Sequence, residues 1–256
     1  MSNFDRNYAP LSGVATDRAV AYDMGLRAHM IRVYNYMTGG VALTGVIAWL
    51  TYQLAGGDAI HVMGRSVTGL TPFGVALFAS PLKWVVMLAP LGVVFYMGFR
   101  IGSIQVSTAR TLFFVFASLI GLSTATIFLV FTTTSITQVF FVSAAAFAAL
   151  SLYGYTTQRS LDAMGSFLVM GLFGLILASI VNIFLGSSML QWTISVIGVG
   201  IFAGLTAWDT QMIKDMYSPN DDGTVAGRKA IMGALNLYLD FINMFRFLLV
   251  LMADRR

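Results

Sequence analysis

Two aspartates, Asp209 and Asp240, lie within long apolar stretches of the chain, in the segments GLTAWDTQMI and LNLYLDFINMF. A charged side chain at the centre of a bilayer costs roughly 2.5–3.5 kcal/mol on insertion scales, so it must be neutralised, paired or hydrated. Two carboxyl groups that meet at this depth can share a proton, attract a divalent cation, or activate a water molecule. These three kinds of chemistry are the candidates that the sequence offers.

Uncharged polar residues accompany both aspartates at helical spacing. Asn236, Asp240 and Asn243 follow the spacing i, i+4 and i+7, so they form one polar stripe on the last helix. Thr206 lies one turn before Asp209 on the preceding helix. We therefore predict that Thr206, Asn236 and Asn243 support the aspartate pair.

The helices that carry the aspartates are consecutive, and the polar loop SPNDDGTVAG joins them, which predicts antiparallel neighbours. At ~1.5 Å per residue, Asp209 lies about 12 Å from a helix end near Tyr217. By the same measure, Asp240 lies about 18 Å from a helix start near Arg228. The depths agree within a few residues, so the carboxyl groups are predicted to meet. A shared proton would then lock the two helices together, and its loss would push them apart.

The composition places these helices in a membrane. Of the 256 residues, 57% are hydrophobic and 10% are charged, which is far too apolar for an ordinary soluble domain. Cysteine is absent, and the two histidines, His29 and His61, form no ligand pattern, so we expect no cofactor. The net charge of +4 comes without a basic cluster, so we expect no nucleic-acid partner.

Runs without charge locate the membrane spans, each of which needs roughly 20 apolar residues. The polar turn Thr132–Ser135 divides one long run and Gly186–Ser188 divides another, so these two runs hold two spans each. The sequence predicts an all-α membrane protein with seven transmembrane helices. Residues 1–28 form a predicted cytoplasmic tail, and residues 29–256 form the transmembrane domain. The predicted spans lie in 33–57, in 83–101 with Arg100 at its end, two each in the charge-free runs 111–158 and 163–208, and in 229–252.

Lysine and arginine predict the orientation, because these residues are enriched in cytoplasmic loops. With the N-terminus in the cytoplasm, ten of the basic residues lie inside and five outside. If the last segment were re-entrant instead, the C-terminus would return to the inside. The inner set is Arg6, Arg18, Arg27, Arg32, Arg100, Arg110, Arg159, Lys214, Arg228 and Lys229, and the outer set is Arg65, Lys83, Arg246, Arg255 and Arg256.

Arg100 ends the second span on the cytoplasmic side, which makes it a candidate counter-charge for one aspartate. The alternative is an ordinary arginine that anchors the span at the membrane surface. Pairs of small residues, Gly98 with Gly102 and Gly200 with Gly204, predict close contacts between helices.

The segments TAWDTQMI and ALNLYLDFINMF resemble the Bax inhibitor family, the transmembrane Bax inhibitor motif proteins, as does RVYNYMTGGVALTGVIAWL at the first span. The resemblance covers roughly residues 25–253. It implies seven spans with the C-terminal helix surrounded by the other six. It also implies a pH-sensitive calcium leak gated by two aspartates, which map onto Asp209 and Asp240.

The resemblance further implies an arginine near the cytoplasmic end of the second span that pairs with the first aspartate in some members. The segment GFRIG offers only Arg100 for that place. Bacterial members are associated with the membrane protease FtsH. The short tail, without targeting signals, fits a bacterial member in the inner membrane.

The sequence is compatible with three functions. The first is a proton-regulated calcium or cation leak, in which Asp209 and Asp240 contact the ion transiently. The second is a non-conducting regulator of a partner such as FtsH, in which the aspartates hold only the fold. The third is an intramembrane aspartyl protease. Such enzymes carry a G-x-G-D context, whereas the contexts here are AWDT and LYLD, so we expect no enzymatic activity.

Overall fold

The structure of the chain is a computed structural model that describes residues 9–63 and 66–254. Within these residues the chain forms nine α-helices and one short antiparallel hairpin, in which β1 (His61–Met63) pairs with β2 (Ser66–Thr68). The helices are α1 (Ala9–Ala55), α2 (Pro72–Gly74), α3 (Leu82–Arg100), α4 (Val106–Thr124), α5 (Ile127–Val130), α6 (Thr133–Thr156), α7 (Asp162–Leu185), α8 (Ser188–Asp215) and α9 (Gly223–Met252).

Six helical segments are long and apolar enough to cross a membrane, which confirms an all-helical membrane protein. They are α3, the segment of α4 and α5, and α6 to α9. The helix α1 is not among the six, so the count of seven stays a prediction. It continues unbroken from Ala9 to Ala55, through the predicted end of the tail at residue 28. The first eight residues of that predicted tail lie outside the described residues.

Helix caps lie at the two points where the sequence predicts that a long apolar run divides into two spans. The Thr132 hydroxyl accepts a hydrogen bond from the Ser135 amide and starts α6. Gly186 ends α7 at φ +62°, a left-handed conformation that glycine adopts without strain. The Ser187 hydroxyl then accepts from the Leu190 amide and starts α8. Both predicted divisions are confirmed.

The helix α9 packs against α1, α4, α6 and α8, and it is the most buried of the six membrane-capable segments. The fully buried Tyr238 makes edge-to-face contacts with Phe113 and Phe116 of α4. Its hydroxyl lies 2.6 Å from the Thr44 hydroxyl of α1, which donates in turn to the Ala117 carbonyl of α4. Tyr238 therefore ties α9 to two neighbouring helices, and encirclement by six helices stays a prediction.

The helix α9 runs without interruption from one end of the bundle to the other. Just beyond its end, the Asp254 amide donates to the Ser135 hydroxyl and the Asp254 carbonyl accepts from the Thr132 amide, both at 3.2 Å. Thr132 and Ser135 belong to the start of α6, opposite the end where α9 begins. We call the bundle end where α9 begins the N face and the end where it finishes the C face.

The predicted glycine contacts are partly wrong. A Cβ added at Gly98, Gly102 or Gly200 would meet nothing within 4 Å, while one at Gly204 would lie 2.5 Å from Leu168. The helix α3 is the least buried of the six segments, so its glycines face outward rather than toward a neighbouring helix.

Among the glycines of the described membrane-capable helices, the closest approach to another backbone lies instead between α6 and α8. A Cβ at Gly154 would collide with the carbonyl oxygen of Ala207. In a second tight contact, Gly165 of α7 lies directly against the Trp208 ring of α8. The absence of a side chain at these two positions allows α6 and α7 to pack closely on α8.

Candidate functional site

The helices α8 and α9 form an antiparallel pair and pack against each other more extensively than any other two elements. Lys229 closes their connection, because its ammonium donates to the Met216 carbonyl at 2.9 Å and pairs with the Asp221 carboxylate at 2.6 Å. Asp222 caps the start of α9 by accepting from the Thr224 and Val225 amides. These contacts fix the relative position of the two helices.

Asp209 and Asp240 face each other across this helix pair. Their side chains are 6% and 3% exposed, and their carboxyl groups lie within hydrogen-bonding reach of one another. The structure thus agrees with the depth estimate made from the sequence. Asp209 Oδ1 and Asp240 Oδ2 find no hydrogen-bond partner among the described residues. Two buried carboxylates at this separation cannot readily ionise together, so the arrangement suits one proton held between them.

Both carboxyl groups lie on the wall of a cavity of about 630 Å³ between α7, α8 and α9, which we call the aspartate cavity. Asn236, Asn243 and Ser179 also line it, and most of the remaining wall is apolar. None of the described residues that line this cavity is basic. A cation that enters would therefore meet carboxyl, amide and hydroxyl oxygens, which are the ligands that hard cations prefer.

Asn236 and Asn243 lie where the helical spacing predicts, on the same cavity wall as Asp240. Asn243 donates one amide hydrogen to the Leu239 carbonyl at 2.9 Å. Thr206 does not join them. Its side chain is fully buried, and its hydroxyl donates to the Phe202 carbonyl of its own helix at 2.7 Å.

Arg100 lies exposed at the end of α3, and the structure does not bring it to the aspartates. In the described part of the chain, no hydrogen bond or ion pair joins its guanidinium to either carboxyl group. The same end of α3 is held by another arginine, since Arg228 of α9 donates to the Ile104 and Gly102 carbonyls, both at 2.7 Å. The position of Arg100 agrees with the alternative reading of a surface anchor.

A chain of hydroxyl groups beside Asp209 was not predicted from the sequence. The Tyr34 hydroxyl lies 2.5 Å from that of Ser151, which lies 2.9 Å from that of Thr210. Thr210 donates to the Thr206 carbonyl at 2.7 Å. This row of hydroxyl groups connects α1, α6 and α8 one residue after Asp209. The backbone carbonyl of Thr206 accepts its last hydrogen bond.

Two further side chains in the same segment of α8 hold the loops of the N face. Gln211 accepts from the Leu161 amide at 2.8 Å and donates to the Arg159 carbonyl at 2.9 Å. Lys214 donates to the Tyr155 carbonyl at the end of α6 at 3.0 Å. The sequence shows that Gln211 and Lys214 are polar residues near the end of an apolar helix, which indicates contacts outside that helix. It does not indicate which backbone groups they contact.

Comparison with known proteins identifies the family of this chain. The family model described as Inhibitor of apoptosis-promoting Bax1 matches residues 26–256. The chain is 43% identical to the protein RP147 of Rickettsia prowazekii over 241 residues, which cover 94% of this chain and 95% of that protein. It is 39% identical to the inner membrane protein YbhL of Escherichia coli K12 over 243 residues, which cover 94% and 97%. The chain, a multi-pass membrane protein with a buried aspartate pair, belongs to the Bax inhibitor family.

Proposed function

We propose that the protein is a pH-sensitive calcium leak channel of the bacterial inner membrane, gated by Asp209 and Asp240. The observation that carries this proposal is the pair of buried carboxyl groups that face each other on the wall of the aspartate cavity. A pair of this kind both attracts a divalent cation and changes charge with pH. The protein acts in this proposal as a channel and not as an enzyme.

The proposed gate works through electrostatic repulsion. While one proton is held between the carboxyl groups, α8 and α9 stay together and the path is closed. When that proton is lost, two carboxylates face each other at short distance in a medium that screens charge poorly, and they repel. The helices then separate and calcium enters between the carboxylates, so flux is expected to rise with pH.

A second cavity of about 420 Å³ continues the aspartate cavity toward the C face, and we call it the C-face cavity. Ser179, Asn243 and Phe247 line both cavities. The two cavities therefore adjoin.

We propose seven spans, with α1 as the first and α9 at the centre of the bundle. Tyr52, near the end of α1, stacks on Phe128 of α5 at 5.3 Å, which places the end of α1 at the C face. The N face carries basic residues in the described part of the chain, among them Arg159, Lys214 and Arg228. An excess of these residues favours the cytoplasmic side, so we propose that the N-terminus is cytoplasmic.

Calcium flux in liposomes tests the channel proposal. Purified protein is reconstituted into vesicles that enclose a calcium-sensitive dye, and calcium entry is followed from about pH 6 to 8, because the charge of a carboxyl pair depends on pH. Entry that exceeds that into protein-free vesicles and rises with pH is the expected result. Entry equal to that into protein-free vesicles at every pH would favour the second candidate, a non-conducting regulator of a partner such as an FtsH-type protease.

Single cysteines test the proposed topology without a background signal, because the sequence contains none. A cysteine at Ser2 is expected to resist a membrane-impermeant thiol reagent in intact cells, and a cysteine added after Arg256 is expected to react. Labelling is measured before and after the cells are opened. Protection of both positions in intact cells would contradict seven full spans.

Arg100→Gln is expected to leave the pH midpoint of calcium flux unchanged, since Arg100 lies away from the aspartate cavity. A neighbouring cation would favour the ionised carboxylates, so its removal would move the midpoint upward. The midpoint is read from the same liposome series. An upward shift would restore Arg100 as a counter-charge and contradict its assignment as an anchor.

A further inference from the structure

Arg246 occupies an unusual position on α9. It lies about 9 Å before the end of the helix at Met252, at ~1.5 Å per residue. The exposed side chain lines the C-face cavity. A guanidinium is charged at every accessible pH, so this helix places a permanent cation at the edge of the apolar bundle. A charge at this depth is costly unless a counter-charge or water accompanies it.

The part of the chain that the structure describes supplies no counter-charge to Arg246. Among the described residues, no carboxylate forms an ion pair with its guanidinium, and no acidic side chain lines the C-face cavity. The next acidic residue along α9 is Asp240, which faces Asp209 in the adjoining cavity. The cation of the C-face cavity is therefore available to a bound group.

The other polar groups of this cavity add hydrogen-bond donors. The Gln191 carbonyl oxygen accepts from the Asn182 amide at 3.2 Å, so the amide hydrogens of Gln191 remain available. Asn243 uses one amide hydrogen on Leu239 and retains the second. The cavity thus combines one fixed positive charge with amide donors, which is the complement of an oxyanion.

We propose that the C-face cavity binds one phosphate group, held by the Arg246 guanidinium with the Gln191 amide beside it. Arginine suits this role because its planar donors match the oxygens of a phosphate in pairs. The volume of about 420 Å³ lies within the range of small-ligand sites. The phosphate belongs either to a lipid headgroup at the C face or to a free anion. Binding does not depend on whether the protein conducts cations.

The apolar part of the cavity favours the lipid source. Ile127, Val130 and Val250 line it beside the polar groups, and Val130 is 44% exposed at the surface of the bundle. An acyl chain can lie along this wall while the headgroup meets Arg246, whereas a free phosphate would leave the wall uncovered.

Binding is tested with delipidated protein in an uncharged detergent. The probes are a short-chain phosphatidylglycerol and inorganic phosphate, added separately. Native mass spectrometry counts the lipid adducts, and the thermal unfolding midpoint reports binding of either probe. Loss of a charge-assisted hydrogen-bond pair is expected to weaken phosphatidylglycerol binding by about tenfold in Arg246→Gln. Arg246→Lys keeps the charge but loses the paired donors. Its affinity for phosphatidylglycerol is therefore expected to lie between those of the unsubstituted protein and Arg246→Gln.

Lys83→Gln is the matched control, because Lys83 is an exposed cation near the start of α3 at the C face and does not line the cavity. It is expected to bind the lipid as the unsubstituted protein does. Stabilisation by inorganic phosphate that is lost in Arg246→Gln would identify a free anion as a sufficient ligand. Stabilisation by the lipid alone would identify the headgroup.

Two results would overturn the proposal. One is a monodisperse Arg246→Gln protein that binds phosphatidylglycerol as tightly as the unsubstituted protein. The other is an unsubstituted protein that binds neither probe. If Arg246→Gln does not fold, Arg246→Lys decides, and an affinity equal to that of the unsubstituted protein would contradict the paired contact.

Discussion

Asparagine at either Asp209 or Asp240 is expected to remove most of the pH dependence of calcium flux. The substitution keeps the shape of the side chain and its hydrogen-bonding capacity, but it removes one of the two carboxyl groups that share the proton. Folding should survive, since a neutral amide is cheaper to bury than a carboxylate. The double variant is expected to add little to either single variant, because the two residues act as one unit.

Asp215→Asn is the matched control for these variants. Asp215 ends α8, the helix that carries Asp209, but its side chain is exposed and does not line the aspartate cavity. Its flux is expected to depend on pH as that of the unsubstituted protein does. Normal pH dependence in both single variants at the cavity would reduce Asp209 and Asp240 to structural polar contacts.

Alanine at Gly154 is expected to destabilise the protein, by about 1–3 kcal/mol on the scale of overpacked cores. The added methyl group would collide with the backbone carbonyl of Ala207, and a backbone cannot move aside as the tip of a side chain can. The helices α6 and α8 must then separate next to the hydrogen bond between Ser151 and Thr210. Thermal unfolding of the purified protein in detergent measures the loss.

Gly200→Ala provides the control for this prediction. Gly200 also lies within α8, yet a Cβ at this position meets nothing within 4 Å. The same substitution is therefore expected to change stability little there. Equal unfolding temperatures for Gly154→Ala and Gly200→Ala would contradict the close backbone contact between α6 and α8.

The aspartate pair could be predicted because it depends on simple quantities. The antiparallel arrangement follows from the short loop between α8 and α9, and the fixed rise per residue gives both depths. The polar stripe of Asn236, Asp240 and Asn243 depends only on helical spacing, and all three residues line the aspartate cavity. The divisions at Thr132 and Gly186 depend on local capping, which is also readable from the chain.

The remaining features depend on which helices are neighbours, and spacing along one helix does not contain that information. Thr206 precedes Asp209 by one turn, but its buried hydroxyl donates to the Phe202 carbonyl of its own helix, and helical spacing alone does not reveal that partner. Arg100 ends the predicted second span, but the contacts that hold that end come from Arg228 on α9. The same limit explains why Gly154 makes the closest approach to α8 and Gly200 does not.

The proposed gate requires one proton held between Asp209 and Asp240, and infrared spectroscopy of the carboxyl groups detects that proton. The spectrum of the unsubstituted protein is recorded from about pH 6 to 8, and the spectrum of the double asparagine variant is subtracted. We expect the carbonyl band of one protonated carboxyl group, and this band should disappear as the pH rises, with the same midpoint as calcium entry. Two ionised carboxylates throughout this range, or a band that persists while calcium entry reaches its maximum, would contradict it.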